Sequence, residues 1–222
     1  MSTKEPQYES QLDLIKKKGL NKLGLVMNEV WDGDPKKLAF VLSRYKFVAK
    51  MLEGKQDILE VGCGDAFASR IVKQTVRNLT VSDFDPVFIE DAKSRCDEDW
   101  PLTYLVHDIT ETPTDKKYDA IYSIDVLEHI TQEDEGKFLK NICESLNQNG
   151  VAIFGIPSLE SQIYASPASK AGHVNCKSGL EFKGLMAQYF QYVFLFSMND
   201  EVVHTGFEKM AHYLFCVCCR VK

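Results

Sequence analysis

The sequence predicts an α/β fold, a parallel sheet with helices on both faces. Two features carry that expectation. From about residue 53 onward, short apolar strands alternate with helical stretches, the pattern of successive strand–helix–strand units. The first of these strands, Ile58-Leu59-Glu60-Val61, runs straight into a glycine turn, Gly62-Cys63-Gly64, and then a helix. At 222 residues the chain is long enough for one large α/β domain with a full core.

The elements follow in order. Residues 1–52 read as a helical segment that caps the substrate side. Within it, Leu38–Leu52 has helical spacing, with Pro35 near its start and Gly54 after its end. Residues 53–222 form the core, with strands near 57–61, 79–83, 102–106, 118–123, 151–156, 192–197 and 211–219. Asp85-Pro86 suits the N-cap and first turn of the helix after the second strand. No long helix separates the last two strands, so a hairpin there makes the final strand antiparallel. An insertion at about 158–178 follows the fifth strand and is the second candidate cover for the substrate, with Trp31 and Tyr164 as apolar surfaces or simple anchors.

In an open parallel sheet, ligands bind beyond the C-terminal ends of the strands, and an acid ending the second strand is placed to bind ribose hydroxyls. Asp83 stands there, 19 residues past Gly64. The dinucleotide fingerprint G-x-G-x-x-G is broken by Phe67, and no Gly-Lys-Ser/Thr follows to make a phosphate loop. The stretch 57–65 instead resembles motif I of the class I S-adenosylmethionine (SAM) methyltransferases, with Ala66 where that family often has its last glycine. Asp83-Phe84-Asp85-Pro86 resembles the family's next motif, and Asp119 through Ile124-Asp125-Val126-Leu127-Glu128-His129 resembles its "S-x-D/E-V-L-E-H" segment. The resemblance covers roughly residues 40–222. It implies a seven-stranded Rossmann-like sheet in the order 3-2-1-4-5-7-6 and a SAM site built from Glu60, Gly62, Cys63, Gly64, Asp83 and Ser123. It further implies Asp108 on the adenine amino group, Ile109 near the ring and Phe84 either on the adenine face or in the core. Arg44-Tyr45-Lys46-Phe47 resembles a segment of small-molecule methyltransferases in which the arginine lies near the methionine carboxylate; a surface arginine is the other reading.

Asp125, Glu128 and His129 are spaced to share a helix face, and carboxylates with neutral imidazole form a ligand set for a divalent cation. By resemblance to small-RNA 3′-terminal 2′-O-methyltransferases and ubiquinone-pathway O-methyltransferases, these residues and His173 would hold Mg²⁺ or Mn²⁺. The alternative makes Glu128 a helix-start residue and His129 a lining of the SAM pocket. Candidate catalytic bases are His129, His173 and His204, the last on the sixth strand's exit. The net charge of −6 and the single basic run, Lys16-Lys17-Lys18, argue against a nucleic-acid partner. No apolar run reaches membrane-spanning length. No secretory signal is evident at the N-terminus, and the seven cysteines show no zinc spacing, so a reduced, cytoplasmic setting is expected, as monomer or homodimer. The expected activity is methyl transfer from SAM to a small-molecule hydroxyl on a sugar, nucleotide-like or aromatic compound. The rivals are an RNA terminal 2′-O-methyltransferase, a small-molecule N-methyltransferase, a nicotinamide oxidoreductase and a non-catalytic partner subunit.

Overall fold

A computed structural model describes residues 3–222. Its strands are β1 (Asp57–Val61), β2 (Asn78–Asp83), β3 (Thr103–Val106), β4 (Tyr118–Ile124), β5 (Leu146–Pro157), β6 (Phe190–Asn199), β7 (Val202–His204) and β8 (Tyr213–Val221). They form one sheet in the order β3-β2-β1-β4-β5-β8-β6-β7. Strands β1 to β5 pair in parallel, and β8 runs antiparallel to both β5 and β6. The seven expected strands therefore stand in the expected order. The correction is an eighth: β6 turns through Asp200, at φ +50°, and pairs back as the edge strand β7. Three residues are too short a run to show a strand period.

The helices are α1 (Glu9–Lys18), α2 (Leu25–Gly33), α3 (Pro35–Met51), α4 (Ser69–Lys73), α5 (Pro86–Ser94), α6 (Glu135–Ser145), α7 (Pro167–Gly172) and α8 (Gly179–Tyr189). Their starts are written locally. Asp34 accepts from the Lys36 N–H and Asp85 from the Val87 N–H, each followed by proline in the first turn, and Ser178 with Glu181 closes a capping box on α8. Helix α1 buries nothing and carries Lys16-Lys17-Lys18 in its last turn; Lys18 pairs with Asp97 and Asp99.

Successive residues of a strand point to opposite faces. On β1, Ile58 packs with Val48, Val72 and Ile89 of α3, α4 and α5, while Leu59 packs with Phe138, Ile142, Phe182 and Met186 of α6 and α8. The two faces thus hold separate apolar layers, each fully buried large side chain contributing about 1.5–3 kcal/mol. This sandwich fixes the strand ends, and the loops leaving β1, β2, β3 and β4 meet at one edge.

Candidate active site

The turn after β1 is left-handed where glycine permits it: φ is +73° at Gly62 and +50° at Gly64. A Cβ on Gly62 would stand 2.3 Å from Val126 Cγ2, so the space is taken as well. Gly62 and Cys63 donate their N–H groups to the Ser82 carbonyl at 2.8 and 2.9 Å. Asp83 is buried and accepts from the Gly64 N–H through Oδ2 and from the Asp85 N–H through Oδ1, both at 3.0 Å. Burial holds its carboxyl above the ordinary aspartate value. Each oxygen keeps a lone pair for a ribose hydroxyl. Ala66 takes φ +52°, a conformation that glycine would adopt freely.

A cleft of about 950 Å³ opens at this edge, large enough for a nucleoside cofactor and a small acceptor together. Tyr45, Gly62, Cys63, Gly64, Asp83, Phe84, Asp108 and Ile109, all expected at a cofactor site, line it. Phe84 is largely exposed, so its ring is available to a ligand rather than to the core. Asp108 is exposed too, its Oδ1 accepting from the Thr110 N–H at 2.9 Å and hydroxyl at 2.6 Å.

Three expected cofactor residues stand elsewhere. Glu60 is fully buried behind the turn, accepting from the Tyr45 hydroxyl at 2.7 Å and the Tyr122 hydroxyl at 2.6 Å. Ser123 is buried inside β4. The Arg44 guanidinium lies over the Tyr213 ring, 3.9 Å from its centroid, and pairs with Asp125 at 2.7 Å. Arg44 thus spends its charge on an acid of this chain because two carboxylates, Asp125 and Glu128, crowd the same partly dry corner.

The roof contains residues that sequence reasoning missed. Val26, Met27, Glu29 and Val30 of α2 line the cleft. Asp65 is buried beneath them, accepting from the Met27 N–H at 2.8 Å and the Phe67 N–H at 3.0 Å. Gly24 is the residue that permits this approach, since a Cβ there would fall 2.3 Å from Asp65 Cβ. The only local signal was an acid directly after G-x-G. Trp31 and Tyr164 are exposed and outside the cleft lining; the insertion contributes Ser169 and His173 instead.

Where His129 and His173 line the cleft, they and the buried Glu128 offer ligand atoms that all lie within 4.8 Å of one another. Asp125 is not one of this group: Arg44 takes its carboxylate. Its backbone is strained at φ +58°. Glu128 is 1% exposed and its Oε2 has no hydrogen-bond partner. Burial first, and Asp125 second, hold its carboxyl well above the usual range. His129 Nδ1 contacts the Gly172 carbonyl at 2.9 Å, which fixes Nδ1 as the protonated nitrogen and leaves Nε2 an acceptor. His173 Nδ1 meets Gln162 Oε1 at 2.8 Å, leaving its Nε2 free in the same way. Burial, and then His129, push the His173 imidazole below its ordinary value. Glu128 Oε1 stands 4.0 Å from His129 Nε2, and a buried carboxylate beside two oriented imidazole nitrogens is a donor set that a divalent cation fits. His204 is apart from all this. Its Nδ1 accepts from the Gly206 N–H and its Nε2 donates to Asn199 Oδ1, both at 2.9 Å, so both nitrogens staple the β6–β7 hairpin.

Comparison with known proteins agrees with this geometry. Residues 58–150 match the family described as a methyltransferase domain. A ubiquinone biosynthesis O-methyltransferase of Rickettsia akari is 26% identical over 162 residues, 68% of this chain and 64% of that protein. Its Rickettsia canadensis counterpart is 29% identical over 154 residues, 63% of this chain and 62% of that one. The chain thus spans just under two thirds of these relatives' length. Among solved structures, the N-methyltransferase NodS of Bradyrhizobium japonicum WM9, in complex with S-adenosylhomocysteine, superposes with a TM-score of 0.64 at 16% identity, covering 86% of this chain and 90% of that one. No described helix is long and apolar enough to cross a membrane, and none of the seven cysteines is paired. The fold and the family match thus agree: residues 58–150 match a methyltransferase domain, and most of the chain shares the fold of a methyltransferase solved with S-adenosylhomocysteine.

Proposed function

We propose that this protein transfers the methyl group of SAM to a hydroxyl of a small-molecule acceptor, with a divalent cation at Glu128, His129 and His173. The observation that carries the reading is the continuity of the cleft. One cavity runs from the glycine turn, Asp83 and Asp108 to His129 and His173, with the unpartnered Glu128 oxygen directly behind. The cofactor's place is set by Gly62–Gly64, with Asp83 on the ribose and Phe84, Asp108 and Ile109 around the adenine. Residues 1–52 act as the substrate cap through α2.

The chemistry is an in-line displacement. The acceptor oxygen attacks the methyl carbon, the carbon–sulfur bond breaks, and S-adenosylhomocysteine and one proton leave. The protein's task is orientation and help with that proton. A cation bound at this cluster would supply Lewis acidity that makes a nearby hydroxyl easier to deprotonate. Nitrogen donors beside one carboxylate suit Mn²⁺ better than Mg²⁺. Gln162 and the Gly172 carbonyl keep both imidazoles turned with Nε2 toward the cleft end. Should turnover persist without a cation, His173, whose imidazole burial pushes below its ordinary value, is the group placed to accept the proton.

A small-molecule acceptor rather than RNA is supported by charge. Among the described residues no lysine or arginine lines the cleft, whereas Glu29, Asp65, Asp83, Asp108, Asp125 and Asp134 all do. A phosphodiester chain entering there would meet carboxylates at every side. The test is transfer of labelled methyl from SAM to a panel of diols, phenols, sugars, amines and a short RNA, with and without chelator. The expected result is ether formation on a hydroxyl, abolished by chelator and restored by Mn²⁺. Methylation confined to amines or RNA would overturn the acceptor, and full turnover in chelator would remove the cation.

A further inference from the structure

A closed polar triad joins the two sides of the cleft end. Lys177 Nζ donates to Glu135 Oε2 at 2.7 Å and to Asn175 Oδ1 at 2.9 Å, and Asn175 Nδ2 donates to Glu135 Oε2 at 2.7 Å. The amide orientation is fixed by chemistry, since the carboxylate only accepts and the ammonium only donates. The ring of contacts is dry: the Lys177 and Glu135 side chains are 12% and 15% exposed, and Asn175 is 2% exposed. Such a pair is costly to break, because removing one partner strands a charge.

The three residues belong to different walls. Glu135 is the first residue of α6, seven positions after Glu128. Asn175 and Lys177 lie in the returning stretch of the insertion, two and four positions after His173. The Asn175 N–H also donates to the Glu128 carbonyl at 3.0 Å, and the Gly172 carbonyl holds His129 Nδ1. The Lys177 carbonyl in turn accepts from the Leu159 N–H at 2.9 Å, closing the insertion's return onto its own start. His173 hangs on a segment otherwise held by Gln162, by Lys170 Nζ on the Ile163 carbonyl and by α7's own turns.

We infer that Glu135, Asn175 and Lys177 are positioning residues that set the distance of His173 from Glu128 and His129, and thereby the affinity of the cluster for a divalent cation. The inference rests on the cation reading of the cluster given above. None of the three lines the cleft, so the cofactor half is untouched by them.

The test compares N175A, K177M and K177R with the parent protein. Calorimetry reads Mn²⁺ and S-adenosylhomocysteine affinity, and NMR of ¹⁵N-histidine-labelled protein reads exchange of the His129 and His173 Nδ1–H protons. N175A and K177M are expected to weaken Mn²⁺ binding by roughly 10–100-fold. They should also speed Nδ1–H exchange and leave S-adenosylhomocysteine affinity unchanged. K177R, which keeps the donor, should recover most of the Mn²⁺ affinity. If K177M fails to fold, N175A and K177R decide the matter. Folded N175A with parental Mn²⁺ affinity and parental histidine exchange overturns the inference. Should the parent protein itself take up no Mn²⁺, the cation reading fails by itself, and the histidine exchange rates alone decide whether the triad positions His173.

Discussion

Burial lifts the Glu60 carboxyl to about 7, with its oxygens between the Tyr45 and Tyr122 hydroxyls. The unfolded chain releases this proton near 4.5, so between about 4.5 and 7 the folded protein holds a proton that the unfolded one has lost. Stability from this group is present below 4.5, falls as pH rises, and is gone above about 7. The neutral acid can donate to one tyrosine oxygen and accept from the other, and a glutamine amide does the same. E60Q should therefore match the parent in denaturant unfolding at pH 4.5 and exceed it at pH 8, by up to roughly 3 kcal/mol. A difference that stays constant across this range would show that Glu60 titrates normally. At this scale the sequence was informative wherever a residue's role depends on its neighbours in the chain. Gly62, Gly64 and Asp83 were legible because a tight turn demands glycine and a strand end presents its last side chain. Arg44 was not, because its partner Asp125 is 81 positions away. Glu60 was misplaced because an acid in an apolar strand looks the same whether it faces a ligand or two tyrosines.

Helix α2 is the element on which the cleft's roof depends, and its docking is thin. It buries one residue, Met27, and is held by the Met27 N–H on Asp65 at 2.8 Å and the Leu25 N–H on Asp91 at 3.3 Å. Replacing Asp65 by alanine removes the stronger tie and strands a buried N–H, costing about 1–3 kcal/mol of docking. D65A should raise hydrogen exchange across α2 while β1 and β4 amides stay protected, and it should weaken cofactor binding in the same proportion. Uniform loss of protection over the whole sheet would mean that Asp65 stabilises the fold rather than the roof. The elements themselves were readable to within a few residues, since caps such as Asp34-Pro35 and Asp85-Pro86 announce helices locally. The placement of α2 was not, because nothing near Gly24 reports that Asp65 lies against it. The short strand β7 escaped for a related reason: its pairing with β6 is held by a turn at Asp200 and the His204 staple, neither of which has a strand period.

Across the whole molecule, the place proposed for the cofactor is where β1, β2, β3 and α2 converge. Their loops contact one another there mainly through Gly64, Asp83 and Asp65. A ligand that fills this junction adds contacts to every one of those elements in the folded state and to none in the unfolded chain. Binding must then raise the unfolding temperature by mass action. At a ligand concentration one hundred times its dissociation constant the gain is about 2.7 kcal/mol. For a domain of this length each kcal/mol moves the midpoint by roughly 2–4 °C, so the expected shift is about 5–11 °C. SAM and S-adenosylhomocysteine should both produce it in differential scanning calorimetry. NAD should not, because Phe67 stands where a dinucleotide turn needs its third glycine. Chelator should leave the S-adenosylhomocysteine shift intact, since Glu128, His129 and His173 share no hydrogen bond with the glycine turn or Asp83. A shift with NAD and none with S-adenosylhomocysteine would refute the cofactor assignment. A shift that vanishes in chelator would instead tie the cation to cofactor binding and move its role away from the acceptor.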